Sequence, residues 1–198
     1  MNKMLQDFIA AEGGNGQITI SDQEATITAQ ARTDWFFHPD GSSRQANVPS
    51  LILETTAPEV SLAAKVSVGF AGTYDAGALF VDTGPDHWAK LAFELSPQGF
   101  PTIVSVVTKG TSDDCDGPRH PADAVWLRLH VRGGIVAFHF SEDGQFWRFN
   151  RTFSLSRSPG APIRLGLSAQ APKGEGCTAR FTEVKLRHTP LIDFRDGS

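Results

Sequence analysis

Residues 87–95, HWAKLAFEL, constrain the fold more than any other stretch, because their side chains alternate between two characters with a period of two. Successive side chains of a β-strand point to opposite faces, so this period predicts a strand with one buried face. The buried set is His87, Ala89, Leu91, Phe93 and Leu95, and the opposite set is Trp88, Lys90, Ala92 and Glu94. We therefore predict a strand over 87–95 with Leu91 and Phe93 in the core.

Turn-rich pieces separate this strand from two further β-runs. Residues 76–82 precede it across TGPD, and residues 101–109 follow it across SPQG, which predicts two hairpins in series. About twelve short strands recur along the chain with turn signals at the spacing of a sandwich or barrel, and helical spacing is confined to the first 13 residues. The sequence thus predicts one all-β domain over 1–198, a two-sheet antiparallel sandwich with a short N-terminal helical turn. We expect residues 39–49 and 110–122 to be loops, and the tail after Thr189 either to cap an edge or to be partly disordered.

The charge balance and the cysteine content narrow the class of protein. A formal net charge of -4 without a basic block disfavours nucleic-acid binding, and no apolar run approaches the roughly 20 residues of a membrane helix. The N-terminal residues lack the apolar core of a signal peptide. Cys115 and Cys177 are too few for a disulfide framework, and two free thiols are favoured over one bridge. We expect a cytoplasmic protein.

Several motifs together carry a family resemblance. They are YDAGALFV at 74–81, DHWAK at 86–90 with Glu94, VSVVT at 104–108 leading to Ser112 and Asp113, TDWF at 33–36, SEDGQFW at 141–147 and ARF at 179–181. In combination, over roughly residues 30–187, they resemble a family of unknown function that includes the fungal regulator of enolase. The resemblance implies a concanavalin-A-like jelly roll with one convex and one concave sheet, and no established catalytic activity. The chain departs from the family pattern at Asp114, where an aromatic residue is usual.

The polar face of the central strand is the candidate ligand site. Trp88 would offer a stacking surface to a sugar, while Lys90 and Glu94 would bind hydroxyls or a carboxylate. The alternative is a solvated sheet face with one weak ion pair. The resemblance groups these three with further residues around a concave pocket, namely Trp35, Thr108, Ser112, Asp113 and Asp114. Because Trp88 and Glu94 lie opposite the core set, we expect their replacement to leave the thermal midpoint within a few degrees.

Two other clusters have structural and functional interpretations. The row Trp126, Arg128, His130 and Arg132 would make an electropositive cleft if it shared a sheet with Trp88; an ordinary polar outer face is favoured. The acidic residues Asp82, Asp86, Asp113, Asp114 and Asp116 could supply oxygen ligands to Ca²⁺. The twelve-residue calcium pattern is missing, however, and acidic residues are common in turns. We predict neither a metal nor a cofactor.

Three functions remain open. The favoured one is a non-enzymatic module that binds a saccharide or small polar metabolite on the concave sheet. The second is a glycoside hydrolase or lyase that uses Glu94 with a second carboxylate from elsewhere, such as Asp82 or Glu54. The third, suggested by the resemblance, is an interaction protein that regulates a metabolic enzyme.

Overall fold

The computed structural model describes residues 3–158 and 160–198, and within them the chain forms sixteen β-strands and one 3₁₀ turn, Lys3–Asp7. The strands are β1 (Ile9–Ala10), β2 (Gly16–Ile20), β3 (Glu24–Gln30), β4 (Trp35–Phe37), β5 (Arg44–Ala46), β6 (Ser50–Thr55), β7 (Glu59–Gly69), β8 (Ala76–Gly84), β9 (His87–Leu95), β10 (Pro101–Lys109), β11 (Thr111–Arg119), β12 (Ala124–Arg132), β13 (Ile135–Ser141), β14 (Arg148–Ser154), β15 (Ile163–Gln170) and β16 (Gly176–Arg187). Among the described residues, no helix has the length and apolar character needed to cross a membrane.

Two seven-stranded sheets make up a β-sandwich. Sheet A has the order β1-β6-β15-β8-β9-β10-β11, sheet B has the order β14-β13-β12-β7-β16-β3-β2, and β4 pairs only with β5. Every pairing in both sheets is antiparallel. The predicted all-β, two-sheet jelly roll is confirmed, and β9, an interior strand of sheet A, covers the predicted residues 87–95.

The main core lies between the two sheets and follows the period-two alternation of their strands. Leu91 and Phe93 of β9 are fully buried in it, as predicted. Sheet B contributes the facing side chains, among them Val66, Leu127 and Phe138. Because Leu91 sits on the inner face of β9, the opposite set, Trp88, Lys90 and Glu94, must project from the outer face of sheet A.

The β4–β5 hairpin covers part of the outer face of sheet A. Phe37 of this hairpin packs with Trp88, Val104 and Val106 in a second cluster of buried residues, and Trp35 packs against that cluster. The aromatic run at 35–37 therefore has a structural explanation, since its rings bury an apolar patch that sheet A would otherwise expose. The sequence prediction that Trp88 lies outside any core is wrong, because it did not anticipate this cover.

The segment 110–122 was expected to be a loop, but most of it is the edge strand β11. It pairs with β10 from Lys109↔Thr111 to Thr102↔Arg119, with an irregularity between Thr102 and Val104. Three aspartates within five residues lower the intrinsic strand preference, and pairing with β10 overrides that preference. An edge position suits such a strand, because charged side chains there discourage pairing with other chains.

The C-terminal segment lies across the outer face of sheet B. His139, on β13, donates from Nε2 to the Phe194 carbonyl at 2.7 Å, and Arg128, on β12, donates from Nη2 to the Gly197 carbonyl at 2.9 Å. Phe194 packs its ring edge-on to His130 with centroids 5.1 Å apart. The segment therefore covers a sheet face rather than capping a sheet edge.

Candidate functional site

The candidate site is the outer face of β9 together with the hairpin above it. Trp35 stacks on Trp88 with ring centroids 4.6 Å apart and an interplanar angle of 29°. Lys90 reaches the same hairpin, since its Nζ donates to the Trp35 carbonyl at 2.8 Å. The structure therefore brings together Trp35, Trp88 and Lys90, which the resemblance grouped from distant parts of the sequence.

Trp88 has no exposed ring face. Its exposed fraction is 0%, with Trp35 stacked on one side and Phe37 edge-on at 5.6 Å. Its Nε1 has no hydrogen-bond partner among the described residues. The outer ring of the stacked pair is Trp35, which is half-buried and keeps part of its surface in contact with solvent.

Lys90 and Glu94 belong to a buried polar network centred on Gln170. Lys90 is 2% exposed and donates from Nζ to Gln170 Oε1 at 2.7 Å, and Asp34 Oδ1 lies 3.7 Å from the same Nζ. Gln170 Nε2 in turn donates to the Tyr74 carbonyl at 3.0 Å and to Glu94 Oε2 at 3.4 Å. Burying a charged amine is costly unless it is well paired, and these contacts supply the pairing.

Gln170 is a site residue that no pattern in the sequence indicated. It lies on β15, where register places it opposite Ala76 of β8, and Ala76 is in turn opposite Glu94 of β9. Because Ala76 has a short side chain, Gln170 and Glu94 can meet across the intervening strand. Only the strand order of sheet A, which places β15 beside β8, could have revealed this contact.

The environment of Glu94 favours its neutral form. Burial raises the pKa of Glu94 to about 8, Lys90 opposes the shift, and the negative charges of Asp34, Asp116 and Asp114 add to it. At neutral pH the side chain is therefore mostly a carboxylic acid, which can both donate and accept a hydrogen bond. Glu94 is 8% exposed, so the group lies just beneath the surface.

Thr108 and Ser112 hold the hairpin in place. Both are buried, their hydroxyls lie 2.8 Å apart, and Ser112 Oγ accepts a hydrogen bond from the Phe37 amide at 2.9 Å. These two hydroxyls therefore hydrogen-bond to each other and to the hairpin, and in this structure they fix the position of the hairpin.

The two neighbouring aspartates of β11 point to opposite faces. Asp114 is opposite Val106 in register and so shares the outer face with Lys90, whereas Asp113 is opposite Val107, a residue of the main core. Asp113 forms an ion pair with Arg151 of sheet B at 3.1 Å. The structure therefore separates Asp113 from the other predicted site residues, because consecutive residues of a strand alternate between faces.

Three of the five acidic residues considered as Ca²⁺ ligands, namely Asp82, Asp86 and Asp113, form ion pairs with arginines. Asp82 pairs with Arg164 at 2.6 Å, and Asp86 pairs with Arg44. Over the described parts of the chain, no group of three His, Cys, Asp or Glu residues is arranged to hold a metal ion.

Comparison with known proteins identifies the family and the fold. The model of a family described as "Protein of unknown function (DUF1349)" matches residues 15–189. A functionally unknown protein from Saccharomyces cerevisiae is similar in structure, with a TM-score of 0.85 at 23% identity, covering 94% of this chain and 98% of that one. No curated protein sequence matches the chain.

Two more distant structural neighbours share the sandwich. The carbohydrate recognition domain of Emp46p, in a potassium-bound form, has a TM-score of 0.59 at 12% identity, covering 96% of this chain and 92% of that one. The GH43 protein BlXynB from Bacillus licheniformis has a TM-score of 0.63 at 11% identity, and this chain covers only 38% of its length. At these identities the likeness extends to the fold alone.

Proposed function

The chain belongs to the DUF1349 family of proteins of unknown function, and from that premise we propose that it is a saccharide-binding module. The binding site is the outer face of sheet A beside the β4–β5 hairpin. The observation that carries the proposal is the buried network of Lys90, Gln170 and Glu94, which holds a protonated carboxyl group just beneath the surface. The carbohydrate recognition domain that shares this fold supports the choice of ligand class.

Stability alone does not explain why the chain has this buried network, so we infer a function for it. Replacing buried charged groups by apolar ones is often neutral or stabilising, so stability alone does not account for Lys90 and Glu94. Perturbed carboxyl groups near a surface are also common at ligand sites. In this proposal, Lys90 and Gln170 fix the position of Glu94, and Glu94 exchanges hydrogen bonds with a sugar hydroxyl.

Trp35 provides the aromatic surface for the ligand. Trp88 was the expected platform, but its ring is covered, and Trp35 is the outer member of the stacked pair. An indole whose inner face is fixed by stacking loses little freedom when a sugar packs against its exposed part.

The charge around Glu94 favours a neutral ligand. Asp34, Asp114 and Asp116 all lie close enough to raise the pKa of Glu94, so an anionic ligand would meet the same repulsion. Neutral oligosaccharides, with many hydroxyls and no charge, match this environment. The proposal therefore excludes uronic acids and sugar phosphates at this site.

The test is to titrate a panel of neutral oligosaccharides into wild type and Glu94→Gln by calorimetry. The amide keeps the size of the side chain, but it must direct its oxygen toward Gln170 Nε2, which leaves an NH₂ that cannot accept a hydrogen bond from the ligand. We expect binding to weaken about three- to tenfold, the effect of one lost hydrogen bond.

Glu54→Gln is the matched control. Glu54 is exposed on β6, opposite Arg164 in register, on the same face of sheet A but away from the hairpin. It should bind saccharide as wild type does. The proposal is wrong if no saccharide of the panel binds to wild type, or if Glu94→Gln and Glu54→Gln weaken saccharide affinity equally.

The protonated state of Glu94 favours a second candidate, a glycoside hydrolase. Glycosidases use a carboxylic acid with a raised pKa as general acid and a second carboxylate facing the same sugar. Glu94 would be the acid, and Asp34 or Asp114 would be the second group. Release of reducing ends from a bound oligosaccharide, lost in Glu94→Gln, would select this function over simple binding.

A further inference from the structure

A separate cavity of about 310 Å³ lies on the outer face of sheet B, beneath the C-terminal segment. Its walls include the indoles of Trp126 and Trp147, and three cationic side chains: Arg128, Lys185 and Arg187. Glu183 is the only acidic side chain among its lining residues in the described chain. The volume is at the lower end of the range for small-ligand sites, so it fits a molecule the size of a monosaccharide.

Arg128 lies in this cavity without a counterion. It is 8% exposed, and no carboxylate among residues 3–158 and 160–198 forms an ion pair with it. Its Nη2 donates to the Gly197 carbonyl, its guanidinium lies 4.3 Å from the Trp147 ring centroid, and its Nε has no partner in the described chain. Burial, followed by the charge of Arg187, lowers the pKa of Arg128 to about 10, so it stays cationic at neutral pH.

Burial of Arg128 costs free energy for two reasons: in the described part of the chain its charge has no counterion, and its Nε–H has no hydrogen-bond acceptor. A bound anion would supply both the counterion and the acceptor. The Gly197 carbonyl offers only a partial negative charge to one nitrogen of the guanidinium. A carboxylate or phosphate oxygen could pair with Nε as well and supply the missing charge.

The strand beside the cavity is irregular where it lines the site. The pairing of β16 with β7 shifts register between Thr182 and Lys185, and Glu183 has a positive φ of 49°. Bulges and strained backbone of this kind cluster at binding sites, where they redirect side chains. Here they accompany the two charged side chains, Glu183 and Lys185, that reach the cavity and form an ion pair with each other at 3.7 Å.

We infer that this cavity binds a monosaccharide-sized organic anion. Its carboxylate or phosphate group lies against Arg128 with Arg187 nearby, and its body lies between Trp126 and Trp147. The site is on the other sheet from Glu94 and of opposite charge, so it does not depend on the saccharide site proposed above.

The experiment measures binding of three probes to the full chain by calorimetry: glucuronate, glucose 6-phosphate and glucose. At least one of the two anions should bind tenfold or more tightly than glucose, which has the same ring without the charge. Arg128→Met, which keeps side-chain length without charge, should abolish this preference. Arg148→Met is the matched control, because Arg148 is an exposed arginine of sheet B, paired with Glu142, that does not line the cavity.

Two further variants test a second cation of the cavity and a control residue on the other sheet. Arg187→Met removes an exposed cation of the same cavity and should weaken anion binding at least threefold even if Arg128→Met does not fold. Glu54→Gln, a change on the outer face of sheet A, should leave anion binding unchanged, because Glu54 does not line the cavity. The inference is overturned if neither anion is preferred to glucose, or if the preference survives in both the Arg128 and Arg187 variants.

Discussion

At the scale of single residues, the position of a residue in its strand determines which face of the sheet its side chain lies on. It does not determine whether that side chain is buried. Alternation placed Trp88 and Glu94 correctly on the face opposite Leu91. It could not show that another part of the chain covers that face, because a covered face and a solvated face give the same pattern in one strand. Trp88 is consequently a core residue of a second cluster, while Glu94 stays near the surface.

Trp88→Ala should therefore destabilise the protein strongly. Removing a fully buried indole stacked on Trp35 leaves a large cavity, and we expect a loss of about 3–5 kcal/mol in the free energy of unfolding. Chemical denaturation monitored by circular dichroism measures it. Phe146→Ala removes a mostly exposed ring and should change stability by less than about 0.5 kcal/mol. A Trp88 variant as stable as the Phe146 variant would contradict the second core.

At the scale of elements, regular strands were predictable and their partners were not. Residues 101–109 form the predicted strand, since β-branched residues there lie between clear turns. In contrast, the aspartate-rich 111–119 became a strand only by pairing with β10, and Gln170 joined the site only because β15 lies beside β8. Such long-range pairings leave no periodic signal in the sequence.

The strand assignment of 111–119 predicts how the two thiols react. Cys115 is exposed on the edge strand β11, whereas Cys177 is buried in β16, where burial, together with the nearby Asp75, raises its pKa to about 12. Since the thiolate is the reactive species, a disulfide reagent should modify one thiol quickly in the native protein and the second only after denaturation. Cys115→Ser should remove the fast phase. Two equally fast thiols would contradict these positions.

At the scale of the whole molecule, the two outer faces of the sandwich are covered by different segments and differ in charge. The hairpin covers part of sheet A near carboxyl groups, and residues 189–198 lie on sheet B against basic side chains. The sequence indicated both rows of polar residues. It did not predict that the β4–β5 hairpin and residues 189–198 cover them, because these contacts join segments that are distant in the chain.

The cover of sheet B predicts an acid-sensitive contribution to stability. Burial, with the charge of Arg128, lowers the pKa of His139 to about 4, and its Nδ1 has no partner in the described chain. A histidine whose pKa is depressed by folding stabilises the native state above its unfolded pKa of about 6.5. That contribution, about 3 kcal/mol, is lost as pH falls toward 4. His139→Gln keeps a donor for the Phe194 carbonyl but has no group that titrates in this range. Between pH 7 and 4, the free energy of unfolding measured by denaturation should therefore fall less for this variant than for wild type. Identical pH profiles would contradict the assignment.

The central claim, that a protonated Glu94 binds a neutral saccharide, is tested most directly by the pH dependence of that binding. With the best ligand of the panel, affinity for wild type should be constant from about pH 6 to 7 and about tenfold weaker at pH 9, because the proton that Glu94 donates is lost through its pKa of about 8. Glu94→Gln should bind more weakly and without this pH dependence. A wild-type affinity that does not change between pH 6 and 9, or a variant that keeps the same decline, would contradict the account.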